Sequence, residues 1–457
     1  METTTRRTFL KSGTIAAGAS FLAAQGCHSS TMVSTRKVPS LRKQGDKLRM
    51  GFIGSGGRGR ANLMEFYNLG EEIVALCDID GTRLDDSYAK VKERCADARR
   101  YRDYRELLDK ERDLDAVVVS TPDHMHAAAA IAAMKCGYHV YVEKPLVRTV
   151  WECREFQRIA NACGVITQMG NNGNGTNGQR RRIEIFNSGI LGRVHEVHVT
   201  TNRPIWPQAL DRPQGSDPIP DTLSWDLWLG VAPHRDYLKD VYHPFKWRGW
   251  FDFGTGAMGD IACHAMSDFF RGFQLGEILS VECVKSTPKF KETFPAATTV
   301  KMVFRSGAQA EPITVFWYDG DTKPDASVCP KAAAAFGNLG GQTIIAENAV
   351  MRGDAIAWTD DEKFHGVVKD DQCLKVAQSI PRVQGHHWEF AEAIRGGDKP
   401  LSHHEHSVPL TEAVLLGCIS QRIPGELRWN AEKMKFENNA QANKLLKPVV
   451  RNGWQIV

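Results

Sequence analysis

The chain has 457 residues, of which 42% are hydrophobic and 25% are charged, and its formal net charge at pH 7 is +4. These fractions are those of an ordinary soluble protein, and part of the small positive charge belongs to a basic N-terminal stretch. The composition therefore gives no indication of nucleic-acid or membrane-surface binding, and the length is sufficient for two domains with cores of their own.

The first 32 residues carry the features of a targeting segment. Residues 5–11, with the sequence TRRTFLK, resemble the twin-arginine export signal, and residues 12–24 form a mildly apolar stretch rich in Ala and Gly. That stretch is too short and too weakly apolar to remain as a membrane-spanning helix. The sequence therefore predicts a twin-arginine signal peptide over residues 1–32, a linker over residues 33–47 and a periplasmic protein. Lipid anchoring through Cys27 is the alternative to simple cleavage.

The eleven cysteines are scattered singly, without a C-x-x-C pair. Several of them, such as Cys77, Cys136 and Cys263, stand in apolar surroundings. This distribution predicts buried free thiols and neither a disulfide framework nor a zinc site. Free thiols in an exported protein fit a route in which the chain folds in the cytoplasm first.

A strand, a glycine turn and a helix follow the linker in that order. An apolar run ends in Gly54-x-Gly56-x-x-Gly59, and a helix is predicted over residues 60–69. Glycines at these positions allow a tight turn, close approach of the backbone to a pyrophosphate and close packing of helix on strand. The free N–H groups of the helix N-terminus then face the phosphates. The turn therefore predicts a dinucleotide site.

The next predicted strand, residues 72–78, ends in Asp78. An acid about 20 residues beyond the glycines is where the ribose 2′-hydroxyl of NAD is held. Because a carboxylate repels the 2′-phosphate of NADP, NAD is the predicted cofactor. Arg83 lies near enough in the sequence to leave NADP open as the less favoured alternative.

Strands and helices alternate up to residue 169. The pattern further predicts helices at residues 84–95, 104–110, 127–136 and 151–162, and strands at residues 115–120, 139–142 and 165–168. Such alternation is typical of a parallel sheet covered on both faces, the doubly wound Rossmann fold. The predicted fold class is therefore α/β, with an NAD-binding Rossmann domain over residues 48–169.

A Gly/Asn run at residues 170–178 separates this domain from a different pattern. Alternating strands with longer irregular links are predicted at residues 195–201, 278–284, 298–304 and 313–318. They predict a second, α+β domain over residues 170–457, with a large, mostly antiparallel open sheet. A loop of the length of residues 203–250 usually carries function.

Two of the predicted parallel strands are followed directly by polar motifs. The motif TPDHMH, residues 121–126, follows one strand, and Glu143-Lys144-Pro145 follows another. Ligands bind at the carboxyl ends of strands in such sheets. A lysine there, in a turn stiffened by proline, is well placed to meet a substrate hydroxyl.

In this order and spacing the motifs resemble one family of sugar oxidoreductases, the glucose–fructose oxidoreductase, inositol dehydrogenase and rhizopine-catabolism (Gfo/Idh/MocA) family. Residues 254–264, GTGAMGDIACH, are similar to the signature of its second domain, a glycine-rich turn that opens a helix carrying Asp-x-x-x-His. The segments at residues 387–394 and 451–454 are similar to those of exported members. The resemblance covers essentially the whole mature chain.

The resemblance implies that Lys144, Asp260 and His264 meet around the carbon that is oxidised. Asp260 and His264 are four residues apart, so on a helix they share one face. Histidine has a pKa near neutrality, which suits removal of a hydroxyl proton, and His264 is the predicted general base. Lys144 would polarise the oxygen, and Asp260 would orient a hydroxyl or the histidine. Lys144 and His264 can exchange the base role, because some relatives rely on the lysine.

The remaining predicted contacts lie at the turn, the strand ends and the second-domain signature. The predicted cofactor contacts are Gly54, Gly56, Gly57, Arg58, Gly59, Asp78, Thr121, Pro122, His124, His126, Glu143, Lys144 and Asn171. The predicted substrate contacts are Lys144, Asn172, Trp247, Arg248, Asp260 and His264. Trp250 is a further candidate for stacking on a sugar, and a core position is the alternative for both tryptophans.

Two groups of histidines lie nearer the C-terminus. His386 and His387 are candidates for reaching the cleft. The group His403-His404-x-His406 is interpreted as a solvated loop, because no cysteine or helical partner supports a metal. No metal is predicted.

The export signal and the dinucleotide turn together constrain how the cofactor is used. No NAD pool exists outside the cytoplasm, and the twin-arginine route carries folded proteins, so NAD is expected to be tightly bound and regenerated in place. The predicted function is hydride transfer between this NAD and a secondary hydroxyl of a sugar, polyol or glycoside.

Two alternatives to that function stay open. One is an NAD-dependent glycosidase, which oxidises its sugar, eliminates the glycosidic bond and then restores the cofactor; a branch of the family that the motifs resemble works in this way. The other is a non-catalytic sugar-binding protein on the same fold. The resemblance also implies a homodimer or homotetramer that pairs through the open sheet faces of the second domain.

Overall fold

The computed structural model describes residues 41–456. The predicted signal peptide, Cys27 and most of the predicted linker lie outside these residues. The described chain is built on two sheets, one of six strands and one of ten.

The six-stranded sheet is formed by the first part of the chain. Its strands are β1 Arg49–Ile53, β2 Glu72–Cys77, β3 Arg99–Tyr101, β4 Ala116–Val119, β5 His139–Val142 and β6 Thr167–Met169. Their order is β3-β2-β1-β4-β5-β6, and every pairing is parallel. The predicted Rossmann topology is thereby confirmed. Strand β3 was not predicted, because two exposed arginines and one buried tyrosine give no apolar run.

Five helices connect these strands, namely α1 Arg58–Asn68, α2 Gly81–Val91, α3 Tyr104–Lys110, α4 Asp123–Lys135 and α5 Val150–Cys163. Helix α5 begins at a capping box in which Thr149 and Glu152 bond reciprocally, and it ends at Gly164 in the left-handed conformation. Helix α4 begins at Asp123, four residues before the predicted start, with Pro122 at its N-cap. Residues 123–126 of the motif therefore lie on the first helical turn, and Thr121 precedes the N-cap.

The ten-stranded sheet belongs to the second part of the chain. Its strands are β7 Val194–Thr200, β8 Leu275–Ser286, β9 Thr298–Ser306, β10 Ile313–Tyr318, β11 Gln342–Ala346, β12 Ala349–Arg352, β13 Ala355–Trp358, β14 His365–Gly366, β15 Leu427–Asn430 and β16 Lys435–Phe436. Their order is β14-β13-β12-β11-β7-β10-β9-β8-β15-β16. The pairing of β7 with β10 is parallel and the others are antiparallel, so the prediction of a mostly antiparallel sheet is confirmed.

The helices of this part are α6 Asn177–Asn187, α7 Trp225–Leu229, α8 Gly256–Ala265, α9 Ser267–Gly272, α10 Pro330–Phe336, α11 Asp371–Lys375, α12 His386–Ile394, α13 His404–Ser420 and α14 Ala440–Asn443. Helix α13 packs against α5, α8 and β8, and so connects the two sheets through a layer of helices. Among the helices of residues 41–456, none combines the length and the apolar character that crossing a membrane requires.

Helix α12 returns the chain to the Rossmann sheet. Phe390 is fully buried there and makes edge-to-face contacts with Phe66 of α1 and Tyr141 of β5, at centroid distances of 6.1 and 5.9 Å. Arg395, just after the helix, pairs with buried Glu71 at 2.6 Å. The core of the first sheet thus includes residues from near the C-terminus, and the predicted division of the chain at residues 169 and 170 stays a prediction.

Replacing Phe390 by alanine tests whether α12 belongs to the core of the first sheet. We expect Phe390→Ala to lower the free energy of unfolding by about 3–5 kcal/mol, because it removes a buried ring from between two others. Leu374→Ala, on a side chain that is 58% exposed, is the control and should change stability by less than about 0.5 kcal/mol. Urea unfolding followed by circular dichroism measures both, and equal effects would contradict a core role for α12.

Candidate active site

A cleft of about 520 Å³ runs along the carboxyl ends of the parallel strands. This volume lies within the usual range for small-molecule sites. One wall consists of the glycine turn and the strand ends, represented by Gly54, Gly56, Gly57, Arg58, Asp78, Thr121, Pro122, Glu143, Lys144 and Asn172. The facing wall comes from the second part of the chain and includes Trp228, Phe245, Trp247, Arg248, His264 and Trp454.

The glycine turn can be made only by glycine at its first and third positions. Gly54 has a φ of +81°, and a Cβ on it would lie 2.8 Å from the backbone of Ser120. A Cβ on Gly59 would lie 1.7 Å from the carbonyl oxygen of Gly54. The N-terminus of α1 can therefore sit directly on the end of β1, which is the geometry that receives a pyrophosphate.

Asp78 closes the turn from the end of β2. One carboxylate oxygen accepts the backbone N–H of Gly56 at 2.8 Å, and the other accepts that of Asp80 at 3.0 Å. Burial raises the pKa of Asp78 above its ordinary value, and these two hydrogen bonds lower the pKa in part. Arg83 lies against Gly56 and pairs with Asp80 at 3.4 Å, so its charge is already partnered by a carboxylate.

Buried polar atoms without partners also mark this wall. The Thr121 hydroxyl lies in the cleft wall and has no hydrogen-bond partner within residues 41–456. The Ser55 hydroxyl, inside the glycine turn, is likewise buried and unpartnered in this part of the chain. Buried hydroxyls are normally hydrogen-bonded, so the Thr121 hydroxyl, together with the turn that excludes a Cβ, fits a bound polar ligand such as a dinucleotide.

A buried carboxylate connects the glycine turn with the end of β5. Glu143 accepts hydrogen bonds from Arg58 at 2.8 Å and from Asn62 at 3.0 Å. Burial by itself raises the pKa of Glu143, but the Arg58 guanidinium outweighs it and holds the pKa below its ordinary value. Glu143 is therefore ionised at neutral pH, and it fixes the turn that carries Lys144.

Lys144, at the end of the Rossmann strand β5, forms an ion pair with Asp260 on α8. Arg248 donates to the same carboxylate oxygen at 3.2 Å. Burial by itself raises the pKa of Asp260, but Lys144 and then Arg248 bring it below its ordinary value. Lys144 and Arg248 line the cleft, whereas Asp260 lies just behind the wall and holds both of them in place.

His264 lies one helical turn beyond Asp260 on α8 and faces the cleft. Burial, reinforced by the positive charge of Lys144, lowers its pKa to about 4. Its ring nitrogens make no hydrogen bond to another residue of the described range, and none joins it to Asp260. His264 is therefore neutral at pH 7 and free to accept a proton. In the structure Asp260 binds Lys144 and Arg248, and it does not orient His264.

An aromatic cradle supports Arg248. Its guanidinium carbon lies 4.3 Å from the ring centre of Trp247 and 4.7 Å from that of Phe245. Both rings line the cleft, and the Trp247 indole N–H donates to the carbonyl of Pro244 at 3.2 Å. Trp250 belongs to the same aromatic cluster as Trp247 but is fully buried in it and does not line the cleft.

Two histidines predicted as cofactor contacts lie beneath the wall. The ring of His124 lies between the carbonyls of Trp228 and Phe253, and burial lowers its pKa to about 3. The ring of His126 lies between the carbonyl oxygens of Thr121 at 2.9 Å and Pro145 at 2.7 Å. Because α4 begins earlier than predicted, both rings face neighbouring backbone instead of the cleft. His126 therefore joins the turns after β4 and β5, and His124 joins α4 to the second part of the chain.

The two asparagines of the Gly/Asn run have different positions. Asn171 is buried and donates to the carbonyl of Cys263 at 2.8 Å, so it anchors α8 and lies outside the cleft wall. Asn172 lines the cleft. The structure thus brings Asn172 to the ligand side, and gives Asn171 a supporting contact in place of the predicted cofactor contact.

The histidines near the C-terminus are structural. His386 and His387 lie on α12, where their rings contact the carbonyl of Met169 at 2.9 Å and the side chain of Asn62 at 3.0 Å, and neither reaches the cleft. The prediction of a solvated loop at residues 403–406 was wrong, because His403, His404 and His406 are buried at the start of α13.

Three potential metal ligands, His403, His404 and Glu405, have ligand atoms within 4.8 Å of one another. Both ring nitrogens of His404 are taken by hydrogen bonds, to Thr167 at 3.0 Å and to Asn161 at 2.8 Å. The group therefore fastens α13 to the Rossmann domain, and no metal is assigned to it.

The sequence reasoning did not identify Trp228, Phe245 or Trp454 as cleft residues. Trp228 and Phe245 belong to the long loop at residues 203–250, whose length indicated function without selecting positions. Trp454 belongs to the C-terminal segment that resembles exported relatives, and that resemblance was the only signal for it.

The fold and the cleft define an NAD-binding oxidoreductase. A family model described as the oxidoreductase family with NAD-binding Rossmann fold matches residues 48–171, and the model of its C-terminal alpha/beta domain matches residues 183–292. The chain belongs to the Gfo/Idh/MocA family, as the motifs predicted.

Curated relatives of this chain include glycosidases. A glycosyl hydrolase family 109 protein of Shewanella putrefaciens (strain CN-32 / ATCC BAA-453) is 41% identical over 114 residues, which are 24% of this chain and 25% of the relative. An alpha-N-acetylgalactosaminidase of Shewanella oneidensis is 40% identical over 112 residues, 23% of this chain and 24% of the relative. The matches thus span about a quarter of these relatives' length.

Solved structures of dehydrogenases share the fold. The WlbA dehydrogenase from Bordetella pertussis, in complex with NADH and UDP-GlcNAcA, has a TM-score of 0.58 and 16% identity over 84% of this chain and 99% of that chain. An inositol dehydrogenase homologue from Azotobacter vinelandii, complexed with NADH and myo-inositol, has a TM-score of 0.55 and 17% identity. The match covers 86% of this chain and 100% of that chain. At such identities the likeness establishes the fold alone.

Replacing Gly59 by alanine tests the glycine turn. The new methyl group would meet the Gly54 carbonyl oxygen, so α1 must move away from β1, and we expect the Kd for NAD to rise on the order of 100-fold. Gly178→Ala, where a Cβ meets nothing within 4 Å, is the control and should bind NAD unchanged. Fluorescence titration of cofactor-stripped protein with NADH measures both, and equal affinities would refute the assignment.

Proposed function

We propose that this enzyme transfers hydride between a tightly held NAD and a secondary hydroxyl of a sugar, polyol or glycoside. The observation that carries the proposal is the arrangement of one cleft. The dinucleotide turn lies at one end of the cleft. At the other end lie a lysine, an arginine and a neutral histidine, which come from two domains.

The residues divide the chemistry of alcohol oxidation. His264 accepts the hydroxyl proton, because it is neutral and its ring nitrogens are unoccupied by other described residues. Lys144 donates a hydrogen bond to the same oxygen and stabilises the negative charge that develops there. Asp260 holds Lys144 and Arg248 against the cleft, and Arg248 binds substrate oxygens. When bound, NAD supplies the two-electron acceptor.

Lys144 is the alternative base. Its amine is already engaged by the carboxylate of Asp260, whereas the ring nitrogens of His264 have no hydrogen-bond partner among residues 41–456. This contact favours His264 as the base and Lys144 as the electrophilic group.

Substitution of either residue tests these roles. Lys144→Ala and His264→Ala should each lower kcat by about 100- to 10,000-fold while NAD stays bound, because they remove the polarising group and the general base. His195→Ala and Lys433→Ala, both on exposed side chains, are the controls and should leave kcat unchanged. Full activity in both Lys144→Ala and His264→Ala would overturn the assignment.

The pH dependence gives a separate check. The base must be neutral to accept a proton, so kcat/KM should fall as the pH drops through about 4, where His264 of the free enzyme becomes protonated, and stay level from there toward neutrality. This acidic limb should disappear in His264→Ala. An acidic limb near the ordinary histidine pKa of about 6.5 would contradict the buried position of the ring.

A second candidate is an NAD-dependent glycosidase, and the relatives of glycosyl hydrolase family 109 favour it. Oxidation of a sugar hydroxyl to a ketone acidifies the C–H bond on the neighbouring carbon. Loss of that proton expels the glycosidic oxygen, water then adds to the resulting double bond, and return of hydride to the ketone restores the hydroxyl. The sum is hydrolysis without net redox change.

A third candidate, a non-catalytic sugar-binding protein, has less support. Such a protein needs the arrangement of Lys144, Asp260 and His264 to be lost, and in this chain all three are present and joined to one cleft.

One screen separates these functions. The purified protein is first assayed for bound nicotinamide by absorbance. A protein that holds no nicotinamide and has no affinity for NAD would contradict the whole proposal. The protein is then incubated with free sugars, polyols and aryl glycosides, and the products are identified by mass spectrometry. Keto products indicate a dehydrogenase, release of the aglycone without an added acceptor indicates the glycosidase, and binding without any product indicates the third function.

We propose further that the protein is exported with its cofactor by the twin-arginine route. The motif at residues 5–11 supports this, and a cofactor loaded in the cytoplasm is then regenerated within the site. Replacing both Arg6 and Arg7 by lysine should keep the protein in the cytoplasm, as judged by cell fractionation, whereas Arg36→Lys in the predicted linker should not. Unchanged export of the double variant would refute this route.

A homodimer or homotetramer is the assembly that we propose for it. The support is family resemblance together with half-buried apolar side chains on the ten-stranded sheet, such as Phe316, which stacks on His198 at 5.1 Å. Light scattering of the purified protein measures the assembly, and a monomer would contradict it.

A further inference from the structure

The cleft continues past Asp78 to an aromatic end. There it is lined by Ile79, Tyr104, Met125, Leu227, Trp228 and Trp454. Asp78 marks the position of the ribose that carries adenine, so the purine of the cofactor lies toward this end. Large apolar and aromatic surfaces are what a purine ring binds.

We propose that the C-terminal segment 451–456, here called the strap, closes this end of the cleft together with α7 and thereby retains NAD on the protein. This inference rests on the proposed function, in which the cofactor is held through many turnovers. It deepens that function by naming the residues that retain the cofactor.

A single arginine fastens the strap to α7. The Arg451 guanidinium pairs with the carboxylate of Asp226 and donates to the carbonyl of Asp226 at 2.9 Å and to that of Gly230 at 3.0 Å. The backbone N–H of Arg451 donates to the carbonyl of Val231 at 3.0 Å. These contacts fix where the strap crosses the loop of the second domain.

Trp454 carries the strap onto the Rossmann domain. It is 8% exposed and forms a small apolar cluster with Met125 of α4 and with Val231. The guanidinium carbon of Arg105 lies 4.1 Å from the centre of its ring, and the ring of Tyr104 lies 6.5 Å from it. One side chain thus contacts α3 and α4 on one side of the cleft and the α7 loop on the other.

The strap and α7 differ in the contacts that must break before each can move away from the cleft. Trp228 of α7 stacks on Trp225 at 4.6 Å and belongs to the buried aromatic cluster of residues 223–253. Movement of α7 therefore disrupts a core. In the strap, Asn452, Gly453 and Gln455 are exposed. Its side-chain contacts come from Arg451, from Trp454 and from the half-buried Ile456, which packs on the same small cluster, so these contacts set how readily the cofactor departs.

Three variants test the strap: Trp454→Ala, Arg451→Ala and a chain that ends at residue 450. The wild-type protein should keep bound nicotinamide through desalting. In each variant the dissociation rate of NADH, followed by its fluorescence after dilution into excess NAD, should rise about tenfold or more, since an aromatic contact to a base is worth roughly this much. Gln455→Ala, an exposed strap residue, is the matched control and should release NADH at the wild-type rate.

The outcomes separate the strap from the proposed function. A wild-type protein without nicotinamide and without affinity for it contradicts the function itself. If the wild-type protein holds NAD and Trp454→Ala releases NADH at the wild-type rate, the proposed role of the strap is wrong. The behaviour of the truncated chain does not change that conclusion. Trp454→Phe keeps an aromatic ring and should restore most of the retention. Thermal unfolding with saturating NAD checks that each variant is folded.

Discussion

The ion pair between Lys144 and Asp260 is the interaction on which the rest of the site depends. Lys144 follows a strand of the Rossmann sheet, Asp260 lies on α8 of the second domain, and both side chains are largely buried. Removing one partner of a buried pair leaves an uncompensated charge and costs about 3–5 kcal/mol. The two domains must therefore dock correctly before the lysine reaches its partner, whereas Arg248 joins the same carboxylate from within the second domain.

A second buried carboxylate connects this pair with the cofactor turn. Glu143 holds Arg58 at the start of α1 and precedes Lys144 directly in the chain. Asn62 joins Glu143 to His387 of α12, so a helix from near the C-terminus also braces the turn. The dinucleotide turn, the lysine and the packing of α12 thus form one connected network, in which the site and the fold stabilise each other.

The sequence predicted much of the fold because local patterns were strong. Strand β5, strand β10 and helix α3 have the predicted bounds, since each has a clear apolar pattern with a turn residue beside it. Strands β3 and β11 to β16 were not predicted, because each is too short, at two to five residues, to show a clear alternation of apolar and polar positions. The start of α4 was placed four residues late, because its polar first turn is buried by neighbouring segments that the local pattern does not show.

By itself the sequence determined the class of cofactor, the family and some of the side chains that line the cleft, because the glycine turn, Asp78 and Lys144 follow from the local order of strand, turn and helix. Only the tertiary structure decided how those side chains are used. Lys144 and Asp260 are 116 residues apart, and nothing in either motif indicates that Asp260 serves Lys144 and Arg248 in preference to His264. The positions of His124, His126 and Trp454 were likewise set by contacts between distant segments, which are chosen by packing of the whole chain.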